Sequence, residues 1–267
     1  CWARLDALIG EVAWYALPSR RAVAVDNVVR SLAPRGVARR EARRIAHASF
    51  RHFGRTLGAA LRLDAGEPVV RWNRPNALED LIRTHQPAMI LSGHLGNWEL
   101  AAWAIQRRAE RYGKQLNLIV APLRNPHTAR YVAKLREEWG VVPHDRDRSF
   151  VWARRALERR ELVGTAADQY PGVDAVRRGV VFTVPFLGRE TPFAATLFRL
   201  AERTSTSIIG ISAILAKDGS YGIHTESVPT GDAEAMCRHW VRWLEMQILE
   251  YPAQYLWMHR RWKDYDT

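Results

Sequence analysis

Residues 88–104 read AMILSGHLGNWELAAWA, an apolar run followed by a short polar turn and a second apolar-rich segment. The run Ala88–Leu91 is typical of a buried strand, and residues 98–108 have the pattern of a helix. Gly96 permits a tight turn between the two, and Asn97 has the side chain of a helix N-cap. A buried strand that passes through a short turn into a helix is the building unit of a layered α/β fold, which this stretch therefore predicts.

The same stretch carries a His-x4-Glu pair, His94 and Glu99. In a continuous helix, residues five apart point about 140° away from each other, so the two side chains meet only if His94 lies on the turn and Glu99 in the first helical turn. There the positive end of the helix dipole stabilises the Glu99 carboxylate. A carboxylate beside a histidine holds one tautomer and stabilises the imidazolium. The pair predicts a general base that acts on a substrate hydroxyl; an incidental surface or capping pair has the same spacing.

The composition predicts one substantial core and an anionic partner. The chain has 267 residues, of which 47% are hydrophobic, and a formal net charge of +12. Nucleic acid, phospholipid headgroups and an acidic carrier protein all fit that charge. The 11 tryptophans favour a membrane interface. The two cysteines form neither a disulfide framework nor a metal motif, so we expect a reducing compartment.

We expect a helical region over residues 1–66 that packs on the core and faces the membrane, followed by an α/β core over residues 67–267. Apolar residues recur at three- and four-residue spacing over residues 2–17, which predicts an amphipathic helix. Its apolar face suits either core packing or contact with a membrane surface. No stretch reaches the length of a membrane span. Because the sequence starts without an initiator Met, an anchoring segment before residue 1 is the alternative to attachment through this helix.

Strand and helix patterns alternate after residue 67. Strands are predicted at residues 69–72, 88–92, 116–121, 141–144, 162–167, 180–185, 208–215 and 221–225, and helices at 76–84, 98–108, 125–139, 150–158, 193–204 and 232–250. This alternation predicts an αβα sandwich with a largely parallel central sheet, preceded by N-terminal helices.

Polar side chains follow three of the predicted strands. His94, Arg124 and Asp168 each come directly after a strand, and the carboxyl ends of parallel strands share one edge of the sheet. Arg124 lies on a proline-bracketed turn and suits a phosphate or carboxylate, or a surface salt bridge. Asp168 and the adjacent Gln169 suit orientation of His94, a sugar hydroxyl or a simple turn cap. Arg189, in a predicted loop at residues 184–192, is a further candidate for an anion contact or a structural turn.

Other site types lack their motifs. The sequence has no His-Glu-x-x-His helix, Gly-x-Ser-x-Gly elbow, Walker loop or dinucleotide fingerprint, so we expect neither a metal nor a cofactor. His85, His94 and Glu99 lack the spacing of a metal site. The basic and aromatic tail at residues 257–263 suits headgroups, core packing or single-stranded nucleic acid, but no nucleic-acid-binding signature accompanies it.

Four segments in order resemble the bacterial late acyltransferases of lipid A biosynthesis, a family that includes the mycobacterial acyltransferase of phosphatidylinositol mannosides. They are SGHLGNWELAAWA (92–104), AADQYPG (166–172), VPFLGRETPFAATLFRLAERT (184–204) and YPAQYLWMHRRWK (251–263). The similarity runs from about Arg20 to Lys263. The His-x4-acid element alone is shared with the wider glycerophospholipid acyltransferase group, whose fold the resemblance implies.

The resemblance implies an acyltransferase at the cytoplasmic face of the inner membrane. It would move a fatty acyl chain from acyl carrier protein or coenzyme A to a hydroxyl of a membrane glycolipid, with no cofactor and no nucleic-acid partner. The family's histidine and acid fall on His94 and Glu99, as base and orienting carboxylate. Substrate contacts are expected from the following residues: Asn97, Arg124, Asp168, Gln169 and Arg189.

Three alternatives remain open from the sequence. The acceptor could be a lysophospholipid or glycerophosphate in place of a glycolipid. Water could replace the acceptor hydroxyl, which would make the protein a thioesterase. The chain could also be a non-catalytic basic protein that binds anionic membranes or nucleic acid.

Overall fold

The computed structural model describes residues 2–63, 68–72, 76–121 and 126–262. Within them the helices are α1 (Trp2–Ala16), α2 (Pro18–Leu32), α3 (Arg39–Ala60), α4 (Asn76–Arg83), α5 (Trp98–Ala109), α6 (Pro126–Glu138), α7 (Ser149–Glu158), α8 (Val173–Arg177), α9 (Thr196–Thr204) and α10 (Ala233–Glu250). The strands are β1 (Val70–Trp72), β2 (Ala88–Gly96), β3 (Leu116–Val120), β4 (Val142–Asp145), β5 (Leu162–Ala166), β6 (Val181–Phe186), β7 (Arg189–Ala194), β8 (Ser207–Leu215) and β9 (Tyr221–Val228).

Seven strands form the central sheet in the order β1-β9-β8-β2-β5-β3-β4. All neighbouring pairs are parallel except β8 and β9, which are antiparallel. The predicted αβα sandwich with a largely parallel sheet is confirmed. Strand β2 lies in the middle, between β8 and β5, so residues that follow β2 and β5 emerge side by side at the carboxyl edge of the sheet.

Successive side chains of β2 enter two different hydrophobic clusters. Ala88 and Ile90 pack with α4 and α5 on one face of the sheet, and Met89 and Leu91 pack with α7, α9 and α10 on the other. Side chains alternate between the faces of a strand, and here both faces are covered by helices. This burial explains why β2 reads as one continuous apolar run.

The N-terminal helices share a hydrophobic cluster with the sheet. Trp14, Val28 and Phe50 belong to the same cluster as Met89 and Leu91. Helix α1 contacts α3 so closely that a Cβ added to Gly10 would lie 2.0 Å from the Phe50 carbonyl oxygen. The predicted domain boundary at residues 66–67 lies outside the described residues. In the part of the chain that the structure describes, no helix has the length and hydropathy needed to cross a bilayer.

The loop predicted before the helix at residue 193 is wrong. Residues 184–192 do not form a loop that leads into a helix at residue 193. Strands β6 and β7 pair as an antiparallel hairpin, and α9 begins only at Thr196. The hairpin turns at Leu187 and Gly188, both with positive φ (52° and 82°), a conformation typical of two-residue hairpin turns. The glycine and proline residues of this segment obscured the buried, strand-forming side chains Phe186 and Phe193.

Candidate active site

His94 lies near the irregular end of β2. The pairing of β2 with β8 shifts register between Ser92 and Gly96, and His94 falls inside that shift. Gly96 has a φ of +65°, and a Cβ there would lie 2.0 Å from the Ala213 carbonyl oxygen. Only glycine fits this close approach without strain. The glycine therefore fixes where β2 ends and how the chain turns towards α5.

Asn97 caps the helix that follows. Its Oδ1 accepts a hydrogen bond of 3.0 Å from the Leu100 backbone N–H, which confirms the predicted N-cap. The Asn97 residue is fully buried. A substrate contact by this side chain, which was among the expected ones, would require the side chain to become exposed.

The His94 ring is held through both of its nitrogens. Nδ1 lies 2.6 Å from Oδ1 of Asp168, and the His94 backbone N–H donates to Oδ2 of the same carboxylate at 3.1 Å. Nε2 lies 3.0 Å from the side-chain nitrogen of Gln169. The carboxylate places the ring proton on Nδ1, so Nε2 is the acceptor for the Gln169 amide. The structure thus brings together three residues that the sequence had placed at strand ends.

The Trp98 ring packs against the His94 ring. The centroids of the two rings are 4.9 Å apart, and Trp98 stacks in turn with Phe53 of α3. The His94 side chain keeps 17% of its surface exposed, whereas the Asp168 side chain keeps 3%. The ring is therefore open to a ligand while its carboxylate partner is closed off from solvent.

Asp168 is ionised at neutral pH. Burial alone would raise the pKa of Asp168, but the opposite charge of His94 and hydrogen bonds from His94 and Tyr255 lower that pKa to about 2. A carboxylate that stays charged beside the ring stabilises the imidazolium that forms when His94 accepts a proton.

The expected contact between Glu99 and His94 is not the one that forms. Both Glu99 carboxylate oxygens accept from the guanidinium of Arg136 on α6, at 2.6 Å and 3.0 Å. Both side chains of this pair are mostly buried. His94 lies in β2 and not on the turn, both of its ring nitrogens have other partners, and Glu99 in the first turn of α5 faces α6. The carboxylate that touches the ring is Asp168.

The two remaining sequence candidates are Arg124 and Arg189. Arg124 lies outside the described residues. Arg189 is the first residue of β7, and its guanidinium stacks 4.3 Å from the centroid of the Trp262 ring. Its contact with the tail follows from the hairpin, which the sequence did not predict.

The C-terminal segment also returns to this edge of the sheet, which the sequence analysis did not predict. The Leu256 backbone N–H donates to the His94 carbonyl oxygen at 3.0 Å, and Tyr255 forms an isolated bridge with Leu95. The Tyr255 hydroxyl donates to the Asp168 carboxylate. His259 lies close enough to Asp168 and His94 to interact electrostatically with both. Burial lowers the pKa of His259 to about 4. The aromatic and basic residues of the tail are apparent in the sequence, but their order does not predict contacts with His94, Leu95 and Asp168.

The arrangement suits removal of a proton from a bound hydroxyl. It presents an imidazole nitrogen backed by a buried carboxylate, as in the catalytic triads of hydrolases, with the substrate in place of the enzyme nucleophile. Among the described residues, no group of three or more His, Cys, Asp or Glu side chains is placed to hold a metal ion.

A search of curated proteins finds no match to this chain. One protein family does match, and it is described as "Bacterial lipid A biosynthesis acyltransferase". The match covers residues 3–264, almost the full sequence, and includes every residue of the His94 site. The chain therefore belongs to the bacterial lipid A biosynthesis acyltransferase family.

Proposed function

We propose that this acyltransferase moves a fatty acyl chain from an acyl thioester to a hydroxyl of a lipid A precursor or related glycolipid, with His94 as general base. The observation that supports the proposal is the His94–Asp168 pair at the carboxyl edge of the sheet, with Nδ1 and the carboxylate oxygen 2.6 Å apart. This is the edge at which open α/β sheets bind their ligands.

The reaction follows from the protonation states of the two groups. The acceptor hydroxyl takes the place of Gln169 at Nε2 and gives up its proton there as its oxygen bonds to the thioester carbonyl carbon. The carbonyl electron pair moves onto oxygen, and Asp168 stabilises the new imidazolium. When the C–O double bond re-forms, the C–S bond breaks and the imidazolium proton passes to the departing sulfur. A base of this kind contributes about 10²–10⁴-fold to the rate.

Gln169 is the nearest candidate to stabilise the oxyanion. Its side-chain N–H already points to Nε2, at 3.0 Å, and a small rotation about its side chain would direct the donor at a substrate oxygen. Amide donors placed at a developing negative charge lower the barrier in acyl transfer.

For Glu99 we propose a role that depends on Arg136. The bidentate pair ties the first turn of α5 to α6. Because that turn directly follows the segment that carries His94, the pair holds the base in place without touching it. This differs from direct orientation of the ring, which the spacing first suggested.

The face of α1 opposite α3 supports attachment to a membrane surface. Asp6, Ala7 and Trp14 are buried, while the apolar side chains on the other side of the helix are exposed by 47–67%. Those exposed side chains are Leu5, Leu8, Ile9, Val12 and Tyr15. The helix thus packs on the core with one face and presents an apolar face outward, and the net charge of +12 complements anionic headgroups. The buried free thiol of Cys237 fits the reducing, cytoplasmic side of the inner membrane.

Binding to vesicles tests the attachment. Wild-type protein should pellet with vesicles of anionic phospholipid, and Val12→Asp should weaken this binding on the order of tenfold, because a charge enters the apolar face. Val151→Asp is the matched control, since Val151 is also exposed but lies on α7. Equal binding of all three proteins would refute a role for α1.

The net charge of the protein favours an anionic acyl donor. Acyl carrier protein is acidic, and a protein of net charge +12 attracts it over long range. Coenzyme A is anionic as well, through its phosphates, so we propose an anionic acyl thioester as donor, either acyl carrier protein or acyl-CoA. Transfer from the carrier protein should slow as salt is added, because salt screens this attraction.

An acyl-transfer assay in detergent tests the function. Wild type and His94→Ala are given acyl carrier protein or coenzyme A that carries a radiolabelled acyl chain. Each donor is combined with a lipid A precursor, a lysophospholipid or no acceptor. We expect label in the glycolipid with wild type and a loss of about 10²–10⁴-fold or more with His94→Ala. Label in the lysophospholipid alone would assign the rival acceptor, and release of free fatty acid without an acceptor would assign a thioesterase. Full activity of His94→Ala would overturn the mechanism.

A further inference from the structure

The C-terminal segment, residues 251–262, crosses the edge of the sheet where His94 lies. Its Leu256 N–H donates to the His94 carbonyl oxygen at 3.0 Å, and Tyr255 bridges Leu95 next to it. The segment is therefore bonded to the main chain of the base itself and of the residue that follows it.

Three distant elements hold this segment in place. The Asn27 side chain of α2 donates to the carbonyl oxygens of Trp257 and His259, at 2.9 Å and 3.0 Å. The Trp262 indole donates to Thr191 of the β6–β7 hairpin at 2.9 Å. The Leu215 N–H of β8 donates to the Gln254 side chain at 2.9 Å. The position of Tyr255, between these anchors, is accordingly fixed.

The Tyr255 side chain ends at the catalytic carboxylate. The residue is 5% exposed, its ring packs edge-on against Trp257, and its hydroxyl lies at the Asp168 carboxylate, where it lowers the pKa of that group. Burial, together with the negative charge of Asp168, raises the pKa of Tyr255 well above 10.0. The phenol thus remains a donor at every pH at which the enzyme would work.

We infer that Tyr255 is a positioning residue for acyl transfer: its hydroxyl fixes the Asp168 carboxylate against the His94 ring, so that the three side chains form one continuous hydrogen-bonded chain. The inference rests on the proposed function of His94 as base. It assigns to the C-terminal segment a part in catalysis, beyond closing the fold.

The other charged and titratable groups around the Tyr255–Asp168–His94 hydrogen-bonded chain do not change their protonation state near neutral pH. On the tail these are His259 and Arg261, and on α2 it is Arg20. Burial lowers the pKa of His259 to about 4, so it is neutral above that pH, and the two arginines remain cationic. A change in the acid limb of the pH–rate profile then reports on His94.

Tyr255→Phe tests the inference, with Tyr251→Phe as the matched control. Tyr251 is another tail tyrosine, and its hydroxyl bonds to Glu250, away from Asp168. Tyr255→Phe keeps the buried ring but removes one hydrogen-bond donor from the carboxylate, which is then held less firmly against the His94 ring. We expect kcat to fall about tenfold with KM unchanged. The acid limb should move to higher pH, because a carboxylate with fewer donors stabilises the His94 imidazolium more strongly. Tyr251→Phe should match wild type in both.

A double-mutant cycle separates positioning from packing. In an Asp168→Asn background, Tyr255→Phe should cost little further rate, because the two act as one unit. An unchanged kcat and acid limb in Tyr255→Phe, or an equal loss in both backgrounds, would overturn the inference. If Tyr255→Phe does not fold, the wild type decides: a hydroxyl proton bound to a buried carboxylate exchanges slowly and gives its own NMR signal, and the lack of one contradicts the assignment.

An NMR titration of His94 distinguishes failure of this inference from failure of the proposed function. If wild type shows no transfer that depends on His94, the function fails, but the His94 pKa still reports on the contact. We expect that pKa to rise in Tyr255→Phe and to stay constant in Tyr251→Phe. An unchanged pKa in Tyr255→Phe refutes the inference whatever the activity.

Discussion

Asp168 and Glu99 are the two carboxylates that the sequence offered as partners of His94, and they lie in different settings. Asp168 follows a central strand, is 2% exposed and contacts both the ring and the backbone of His94. Glu99 lies in the first turn of a helix, and its two oxygens bind Arg136. Sequence spacing favoured Glu99 as the carboxylate that contacts the His94 ring, whereas the geometry favours Asp168. The acid of the His-x4-Glu spacing thus binds a neighbouring helix, while an acid 74 residues away in the sequence contacts the ring.

Asp168→Asn should give the larger loss of activity. The amide cannot stabilise the imidazolium, and it can present its N–H to Nδ1 and hold the wrong tautomer. We expect kcat for acyl transfer to fall by about 10²–10⁴-fold, with little change in KM. Circular dichroism and urea unfolding would establish that the variant is folded. A loss of less than about tenfold would contradict the role of Asp168.

The acid stability of the protein should depend on Asp168 as well. The pKa of Asp168 is lowered from 3.8 to about 2 on folding, so its stabilisation is complete above the unfolded pKa and is lost as pH falls from 3.8 through about 2. A shift of this size corresponds to about 2 kcal/mol. Glu99→Gln should keep this part of the pH dependence of the free energy of unfolding, and Asp168→Asn should lack it. Hydrogen exchange measured across the acid range checks both variants; identical profiles would count against the assignment.

Glu99→Gln should have the smallest effect on the chemical step. The amide keeps a hydrogen bond to Arg136 but loses the charge, which leaves a largely buried guanidinium less well paired. We expect stability to fall by about 1–3 kcal/mol and kcat by less than about tenfold. Arg136→Gln is the matched control from the other side of the pair and should resemble it. A loss of kcat in Glu99→Gln equal to that in Asp168→Asn would reverse the comparison.

The convergence of His94, Asp168 and Gln169 could be predicted from the sequence because it depends on local pattern. Continuous apolar runs identified the strands, and the ends of parallel strands share an edge. The fold class followed from the alternation of strand and helix patterns after residue 67. Asn97 was identified as a cap because capping is decided within three residues of the chain.

The partners of these residues could not be predicted in the same way. Arg136 is one arginine among many on helix surfaces, and its pairing with Glu99 depends on how α6 packs against α5. Tyr255 reaches Asp168 only because α2, β8 and the hairpin anchor the tail. The hairpin itself was missed because glycine and proline residues suggested a loop. These contacts are set by tertiary packing, which leaves no short-range pattern in the sequence.

The central claim is that Asp168, and not Glu99, orients His94. ¹⁵N NMR of the His94 ring in wild type, Asp168→Asn and Glu99→Gln tests it most directly, because the nitrogen shifts report which atom carries the proton. We predict the Nδ1–H tautomer in wild type and in Glu99→Gln, and loss of that tautomer in Asp168→Asn. The Nδ1–H tautomer kept in Asp168→Asn but lost in Glu99→Gln would contradict the account.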